Sequence, residues 1–406
     1  QVCHKLPQEE LYKRLEVIHL SRFAKLITQF IQRAKKQTLL PRDIRQRVQA
    51  NQPDDERTAI FIELATRVYE AYESKKAAHN HIDFDDLLMQ ATRHVHESEG
   101  ECSICVEHAH SIRMNELQWI LIDEYQDFSP LFNDLIQAIR QYNADVRLLC
   151  VGDDWQAING FAGSELEFFA KFEEYVSQTR TAQLLTNHRS QKAIIENSNA
   201  LMVELGMPAS PQPNQYAGDV QIQYIDDVWL ELRKDPKHEK AQLADQRFCF
   251  SHNKVLAAKC AKQCYEIIAA SENSGKTVAI LSRKNRLYSV DLKSFRHKLL
   301  VCLNSEENTN VHVTPNKIRV ETVHRFKGLE ADIVILIDVT ENAYPLIHPD
   351  NALFSLFGHD ESDIVAEEKR LFYVALTRAK EKVYILTKHG RESPFLHELP
   401  AFTKHK

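Results

Sequence analysis

Asp123 and Glu124 are the residues with the clearest capacity for chemistry. They close the apolar run Ile120, Leu121 and Ile122 in the segment ILIDEYQD, with Gln126 and Asp127 following at once. A magnesium ion bridging two phosphates needs a hard carboxylate oxygen, best presented from a rigid strand end, and Asp123 has that position. Glu124 is placed to orient an attacking water and take its proton, a task for a base within hydrogen-bond reach. The segment reads as the metal-holding edge of a nucleoside-triphosphate motor. Taken alone, paired acids after an apolar run also occur as ordinary strand or helix caps.

Such carboxylates need a frame. WILIDEYQD and VRLLCVGDDWQ read as two short strands, each ending in acids, with a helix from about Leu131 to Arg140 between them. Strand, helix, strand with acids at the carboxyl ends predicts a parallel sheet that binds ligands at its rim. KTVAILSR, IRVETVH, ADIVILID and KVYILT supply further strands for a second α/β domain. From Leu11 to about His110 the apolar spacing is helical, with Pro41 and Pro53 as separators. The basic stretch Arg33 to Lys36 reads as a solvated helix face, and SPQPNQYAG as a loop.

Four further segments follow ILIDEYQD in order: VGDDWQAINGFAG (151–163), LLTNHRS (184–190), VETVHRFKGLEADIVIL (320–336) and EEKRLFYVALTRAKEKVYIL (367–386). Together the five resemble the second to sixth motifs of the UvrD/Rep family of superfamily 1 DNA helicases. HIDFDDLL (81–88) resembles the helical insertion that precedes the second motif there. The short connection between VAILSR and the fifth motif is similar to the helicase IV-like branch.

The resemblance implies an α/β fold with RecA-like parallel sheets: a partial first domain carrying a helical insertion, and a complete second domain. The corresponding boundaries are 1–110 for the helical insertion, 111–182 for the first RecA-like domain and 183–406 for the second. It implies an ATP-dependent DNA helicase or translocase that uses Mg²⁺, moves 3′ to 5′ on single-stranded DNA and unwinds duplex, in repair, replication or recombination. In that pattern Asp123 holds magnesium, Glu124 is the base, and Gln156 senses the γ-phosphate. Arg189 and Arg378 reach that phosphate from the second domain. The other reading of Arg378 is a surface ion-pair partner on a helix carrying Glu367 and Glu368. His188 stands where the family usually stacks a tyrosine on adenine, and Glu330 would touch the ribose, with Gly328 permitting close backbone approach. Phe161 takes the position of a strand-stacking tryptophan, while Asn159 and Ala162 replace a common tyrosine and arginine. Thr322 and His324 would contact the DNA backbone. Trp155 reads as packed.

The family's phosphate loop, G-x-x-x-x-G-K-[ST] after a strand, does not occur. Ser274-Gly275-Lys276-Thr277 has Ala270 where the first glycine belongs and precedes a strand instead of opening a helix, so it reads as a turn. Either the chain begins after the first domain's N-terminal portion, or nucleotide binding has been lost. A dead site has no chemical need for Glu124, Gln156, Arg189 and Arg378 together, which favours truncation. The rival of another class is a helicase-shaped binding module docking on RNA polymerase or a nuclease subunit; a helicase-nuclease is a third reading.

A chain of 406 residues predicts two or three domains at ~150 residues each. The net charge of -6 means that any DNA affinity comes from a local groove and not from the whole field. Eight scattered cysteines fit a reducing compartment, and no apolar run is long enough to span a bilayer, so a cytoplasmic location is expected. Cys102, Cys105, His108 and His110 have the composition of a zinc site but spacing too tight for separated ligand pairs, and the segment also reads as a helix end.

Overall fold

Four helices open the chain: α1 (Gln8–Lys36), α2 (Pro41–Ala50), α3 (Glu56–His79) and α4 (Phe84–Glu97). Their starts are written locally. Pro41 begins α2 where a missing N–H costs nothing, Asp55 caps α3 by accepting from the Thr58 amide, and Asp83 and Asp86 form a reciprocal capping box on α4. The structure is a computed structural model that describes residues 8–53, 55–106, 110–203, 205–213, 215–225, 245–273, 275–288, 290–303, 315–358 and 361–403. It divides into two units, Gln1–Arg180 with Ile347–Ile364, and Thr181–Leu346 with Val365–Lys406.

In the first unit the helices bury Phe30, Ile44, Phe61, Ile62 and Tyr69 together with Leu353, Phe354 and Phe357. Residues 347–364 therefore pack with the N-terminal helices, which corrects the expectation that 183–406 is one continuous domain. Their apolar residues look locally like any domain-internal helix; only long-range packing reveals their partner.

The basic face of α1 is also corrected. The Lys35 side chain is 3% exposed, and its Nζ lies 2.5 Å from both Asp83 and Asp86 and 3.4 Å from Glu73. Lys76 meets the same three carboxylates, Asp83 at 3.2 Å, Asp86 at 2.5 Å and Glu73 at 2.9 Å. Burial pushes the Asp83 carboxyl up, but the Lys35 ammonium, the Asp86 amide and the Tyr72 hydroxyl outweigh it and hold it well below the usual range. Asp83 and Asp86 of HIDFDDLL are thus the counter-charges of two buried lysines, while Asp85 pairs with Lys36.

Beyond α4 the expected helix end is instead an antiparallel hairpin of β1 (Ser103–Val106) and β2 (His110–Arg113), with Cys105 opposite Ser111. Cys102 packs against the apolar cluster around Val95, Ala138 and Ile139, a setting for a thiol that fills space. His108 lies outside the described residues, as do the side chains of Cys105 and His110.

β3 (Trp119–Ile122) and β4 (Arg147–Cys150) pair in parallel, Ile122 opposite Cys150, with α5 (Pro130–Tyr142) between them in sequence. Trp119, Leu121, Leu149 and Val151 are all about half exposed or more, so this apolar sheet face is bare.

The second unit holds β5 (Thr186–Asn187), β6 (Ser210–Pro211), β7 (Asp219–Tyr224), β8 (Val278–Ser282), β9 (Arg286–Leu287), β10 (Val290–Asp291), β11 (Ile318–Thr322), β12 (Ala331–Ile337) and β13 (Ala379–Thr387). Five of these form a parallel sheet in the order β11-β8-β12-β13-β7. β8 is buried along its whole length and β12 nearly so, because helices cover both faces of such a sheet and its central strands read as unbroken apolar runs. This is the expected α/β, RecA-like arrangement. Cys260 and Cys264, one helical turn apart, are core residues beneath it. Ser210–Pro211, expected as loop, pairs in parallel with Thr186–Asn187.

Candidate active site

β3 ends at Asp123, whose Oδ1 accepts from the Glu124 amide at 2.8 Å. Glu124 adopts left-handed backbone angles, φ 52° and ψ 41°, which cost a non-glycine residue roughly 1–2 kcal/mol. The turn is held by the Tyr125 amide donating to the Val151 carbonyl and the Asp127 amide donating to the Glu124 carbonyl, both at 2.9 Å. Both acidic side chains face solvent.

Behind them a chain of side chains links the two strand ends. Gln126, 1% exposed, donates from Nε2 to the Glu124 carboxylate at 2.5 Å, and its Oε1 accepts from the Asp153 amide at 3.0 Å. Asp153 in turn accepts from the Trp155 amide at 3.0 Å and from Gln156 Nε2 at 2.6 Å. Glu124 and Gln156 are thereby joined through two intermediates that sequence reading did not single out. Gly152 makes the approach possible: a Cβ there would lie 2.6 Å from Gln126 Oε1 and 2.9 Å from Phe169. Trp155 is buried, and Tyr125, Phe128 and Phe168 form the apolar floor.

In the second unit, residues from three distant segments converge. The Asn187 carboxamide accepts from the amides of Arg189 and Ser190, shaping the turn after β5. Arg189 donates to Glu330 at 3.1 Å and to the Thr377 carbonyl at 3.5 Å, and Lys380 contacts the same Glu330 carboxylate at 2.6 Å. The Lys380 and Arg189 cations hold the Glu330 carboxyl below its ordinary range. Arg378 is 1% exposed and donates to the Val374 carbonyl at 3.2 Å, which excludes the reading of a surface ion-pair residue. Instead Glu368 engages Arg283 through three hydrogen bonds of 2.6 to 3.0 Å and accepts from the Leu346 amide. His188 is exposed and contacts Gln212.

Lys276 and Thr277 of the glycine-containing tetrapeptide are committed elsewhere. Lys276 pairs with Glu381 at 2.5 Å, and Thr277 bonds Asp332 through both its amide and its hydroxyl. Gly275 lies in a turn just ahead of β8.

Two family models match this chain: the UvrD/REP helicase N-terminal domain over residues 2–177 and the UvrD-like helicase C-terminal domain over residues 284–390. The chain belongs to the UvrD/Rep helicase family. It is 25% identical over 340 residues to DNA helicase IV of Escherichia coli K12, covering 82% of this chain and 41% of that protein. A "Probable DNA helicase" of Mycoplasma pneumoniae is 24% identical over 330 residues, covering 80% of this chain and 53% of the relative. The ATP-dependent DNA helicase PcrA of Staphylococcus epidermidis is 29% identical over 140 residues, or 34% of this chain and 18% of PcrA. The chain spans about half or less of these relatives.

In this UvrD/Rep chain the residues expected to meet DNA are spread over both units. Asn159 precedes a short turn, Gly160–Ala162, and the Phe161 side chain lies outside the described ones. Thr322 is buried at the end of β11. For His324, just beyond it, burial reinforced by the Arg283 and Lys327 charges pushes the imidazole pKa down to about 4. Gly328 has φ +78°, a left-handed backbone that favours glycine, with no protein atom within 4 Å of where a Cβ would stand. Among the described residues, no helix is long and apolar enough to cross a membrane.

Proposed function

We propose that this chain carries the nucleotide-responsive core of an ATP-driven DNA helicase or translocase that moves 3′ to 5′ along a single strand. The observation that carries the reading is the hydrogen-bonded line Glu124–Gln126–Asp153–Gln156 across two strand ends, which in this reading would couple a base to a phosphate-sensing amide.

In this reading Glu124 orients water, whose oxygen attacks the γ-phosphorus while the bond to the β–γ bridging oxygen breaks. The water proton passes to Glu124. Asp123 suits a magnesium ion: one carboxylate oxygen accepts from the Glu124 amide, and the other has no protein partner among the described residues. Magnesium bound there would neutralise phosphate charge. Arg189 and Arg378 supply cationic stabilisation, the former pre-aligned by Glu330. Gln156, tied to Asp153, reports the phosphate state to the Gly160–Ala162 turn four residues on, beside the position that would stack on DNA.

The reading requires a phosphate loop that these 406 residues do not contain. The test is steady-state ATP hydrolysis by the native-length polypeptide, with and without single-stranded DNA. Glu124→Gln should abolish turnover and leave nucleotide binding, and Arg378→Ala should lower turnover by about 10³-fold or more. Near-normal turnover in either variant would sink the assignment. No turnover from the intact, folded wild type would favour a binding module instead.

A further inference from the structure

The segment SPQPNQYAG, expected from sequence to be a plain loop, is hydrogen-bonded along the stretch from His188 to Ala193. Its first two residues form β6, in parallel register with β5: Thr186 lies opposite Ser210 and Asn187 opposite Pro211. One step further on, the Gln212 carboxamide meets His188 Nδ1. Pro213 biases the residue before it toward an extended backbone, so the local sequence keeps Gln212 in line with the strand. The Gln212 amide then donates to Gln215 Oε1 at 2.8 Å, and Gln215 Nε2 donates to the Ser190 carbonyl. The amides of Lys192 and Ala193 donate to the Tyr216 and Ala217 carbonyls at 3.3 and 2.7 Å. Ser190 is fully buried, and its hydroxyl donates to the Ala379 carbonyl at 2.7 Å, so the brace ends beside Arg378.

We propose that Gln212 is a positioning residue for base recognition, fixing the orientation and tautomer of His188 so that its ring presents one face to the base of a nucleoside triphosphate. The proposal rests on the motor reading above, in which His188 would stack on the base, and gives the SPQPNQYAG segment a role within it. His188 is exposed, and an exposed neutral imidazole left to itself samples several orientations and both tautomers. A carboxamide at Nδ1 removes that freedom. It either donates to a bare Nδ1 or accepts from Nδ1–H, and in each case the ring proton has one place. Gln212 acts through His188 and not on the nucleotide, while Gln215 ties the arrangement to the turn that carries Arg189. Holding one such side chain in place before binding raises affinity about 2- to 10-fold, the ordering cost of a single side chain.

The first readout needs no nucleotide. In nitrogen NMR spectra of the histidine side chains, with His188 assigned by its loss in His188→Ala, wild type should show one tautomer and Gln212→Leu an average of both. The second is steady-state, DNA-stimulated ATP hydrolysis by the native-length polypeptide. Gln212→Leu should raise the KM for ATP about 2- to 10-fold and leave kcat within about twofold. A double-mutant cycle separates positioning from a general loosening of the loop: in a His188→Ala background, Gln212→Leu should add nothing. An averaged tautomer in wild type, a spectrum that Gln212→Leu leaves unchanged, or a Gln212→Leu effect that persists without His188 overturns the proposal while the motor reading stands. So does a raised KM in His188→Ala with none in Gln212→Leu. A His188→Ala enzyme with the wild-type KM removes the base-facing role of His188, and the proposal with it. A wild type without turnover overturns the motor reading and the proposal together.

Discussion

The coupling of Glu124 to Gln156 stands or falls with Gln126. Replacing Gln126 by Leu keeps the volume and removes both hydrogen bonds. The bond from Nε2 to the Glu124 carboxylate, at 2.5 Å, is of the charge-assisted kind worth about 1.5–3 kcal/mol. The Asp153 amide is deprived of its acceptor at 3.0 Å, a further cost of about 1 kcal/mol for a part-buried donor. At 1.4 kcal/mol per tenfold, removing the first bond alone lets Glu124 leave its working position roughly 10- to 100-fold more often. Misplacement of about 1 Å costs on the order of 10²-fold in rate. We therefore expect Gln126→Leu to lower the turnover number of DNA-stimulated ATP hydrolysis by about 10²-fold. The Michaelis constant should move little, and the unfolding midpoint should fall by an amount matching about 2.5–4 kcal/mol, the sum of the two losses. Gly152→Ala should reproduce the kinetic defect from the other side, because the new Cβ would sit 2.6 Å from Gln126 Oε1 and must displace it. Since both substitutions break one linkage, the double variant should be about as slow as the worse single variant, far from the product of the two effects. A Gln126→Leu enzyme that turns over within about twofold of wild type, or a double variant showing full additivity, would refute the linkage.

Three other outcomes follow from the two units. Lys35→Met leaves Glu73, Asp83 and Asp86 with only the Lys76 ammonium, and should destabilise the helical unit by about 3–5 kcal/mol in urea unfolding; a change below about 1 kcal/mol would show that the buried network is solvated after all. His324 has a folded-state pKa near 4, below its unfolded value of about 6.5. Between those limits the unfolded chain binds more protons. The second unit should therefore lose up to about 3 kcal/mol as pH falls from about 6.5 to 4, at no more than about 1.4 kcal/mol per pH unit. His324→Asn should flatten that part of the profile, and an unchanged slope would remove the histidine as its cause. Gly328→Ala should cost about 1 kcal/mol through its left-handed φ alone, with the same cost for Gly328→Ser; a larger cost for serine would point to a steric clash instead.

The sequence by itself determined the family, because five motifs in fixed order carry residue types that phosphoryl transfer requires, and the central strands announce themselves as apolar runs. VAILS and ADIVILI are buried nearly throughout, as their composition says. β7 went unnoticed: Asp219, Gln221 and Gln223 alternate with Val220, Ile222 and Tyr224 at the sheet's edge, a half-buried pattern that competes with neighbouring loop residues. Charge was the least legible property. Lys35 looks like any helix-surface lysine until α3 and α4 bring three carboxylates around it from 38 to 51 positions away in the chain. Only tertiary structure could decide that residues 347–364 belong with the N-terminal helices, because Phe354 and Phe357 carry no mark of which distant phenylalanines they will meet. The same holds for the site. Asp123 and Glu124 are readable because a strand end and adjacent acids are local features. Gln126 and Asp153 acquire their roles only when β3 and β4 pair, which places side chains 27 positions apart within hydrogen-bonding distance. Spacing along the chain encodes the chemistry a segment could perform; the parallel pairing of strands decides which segments perform it together.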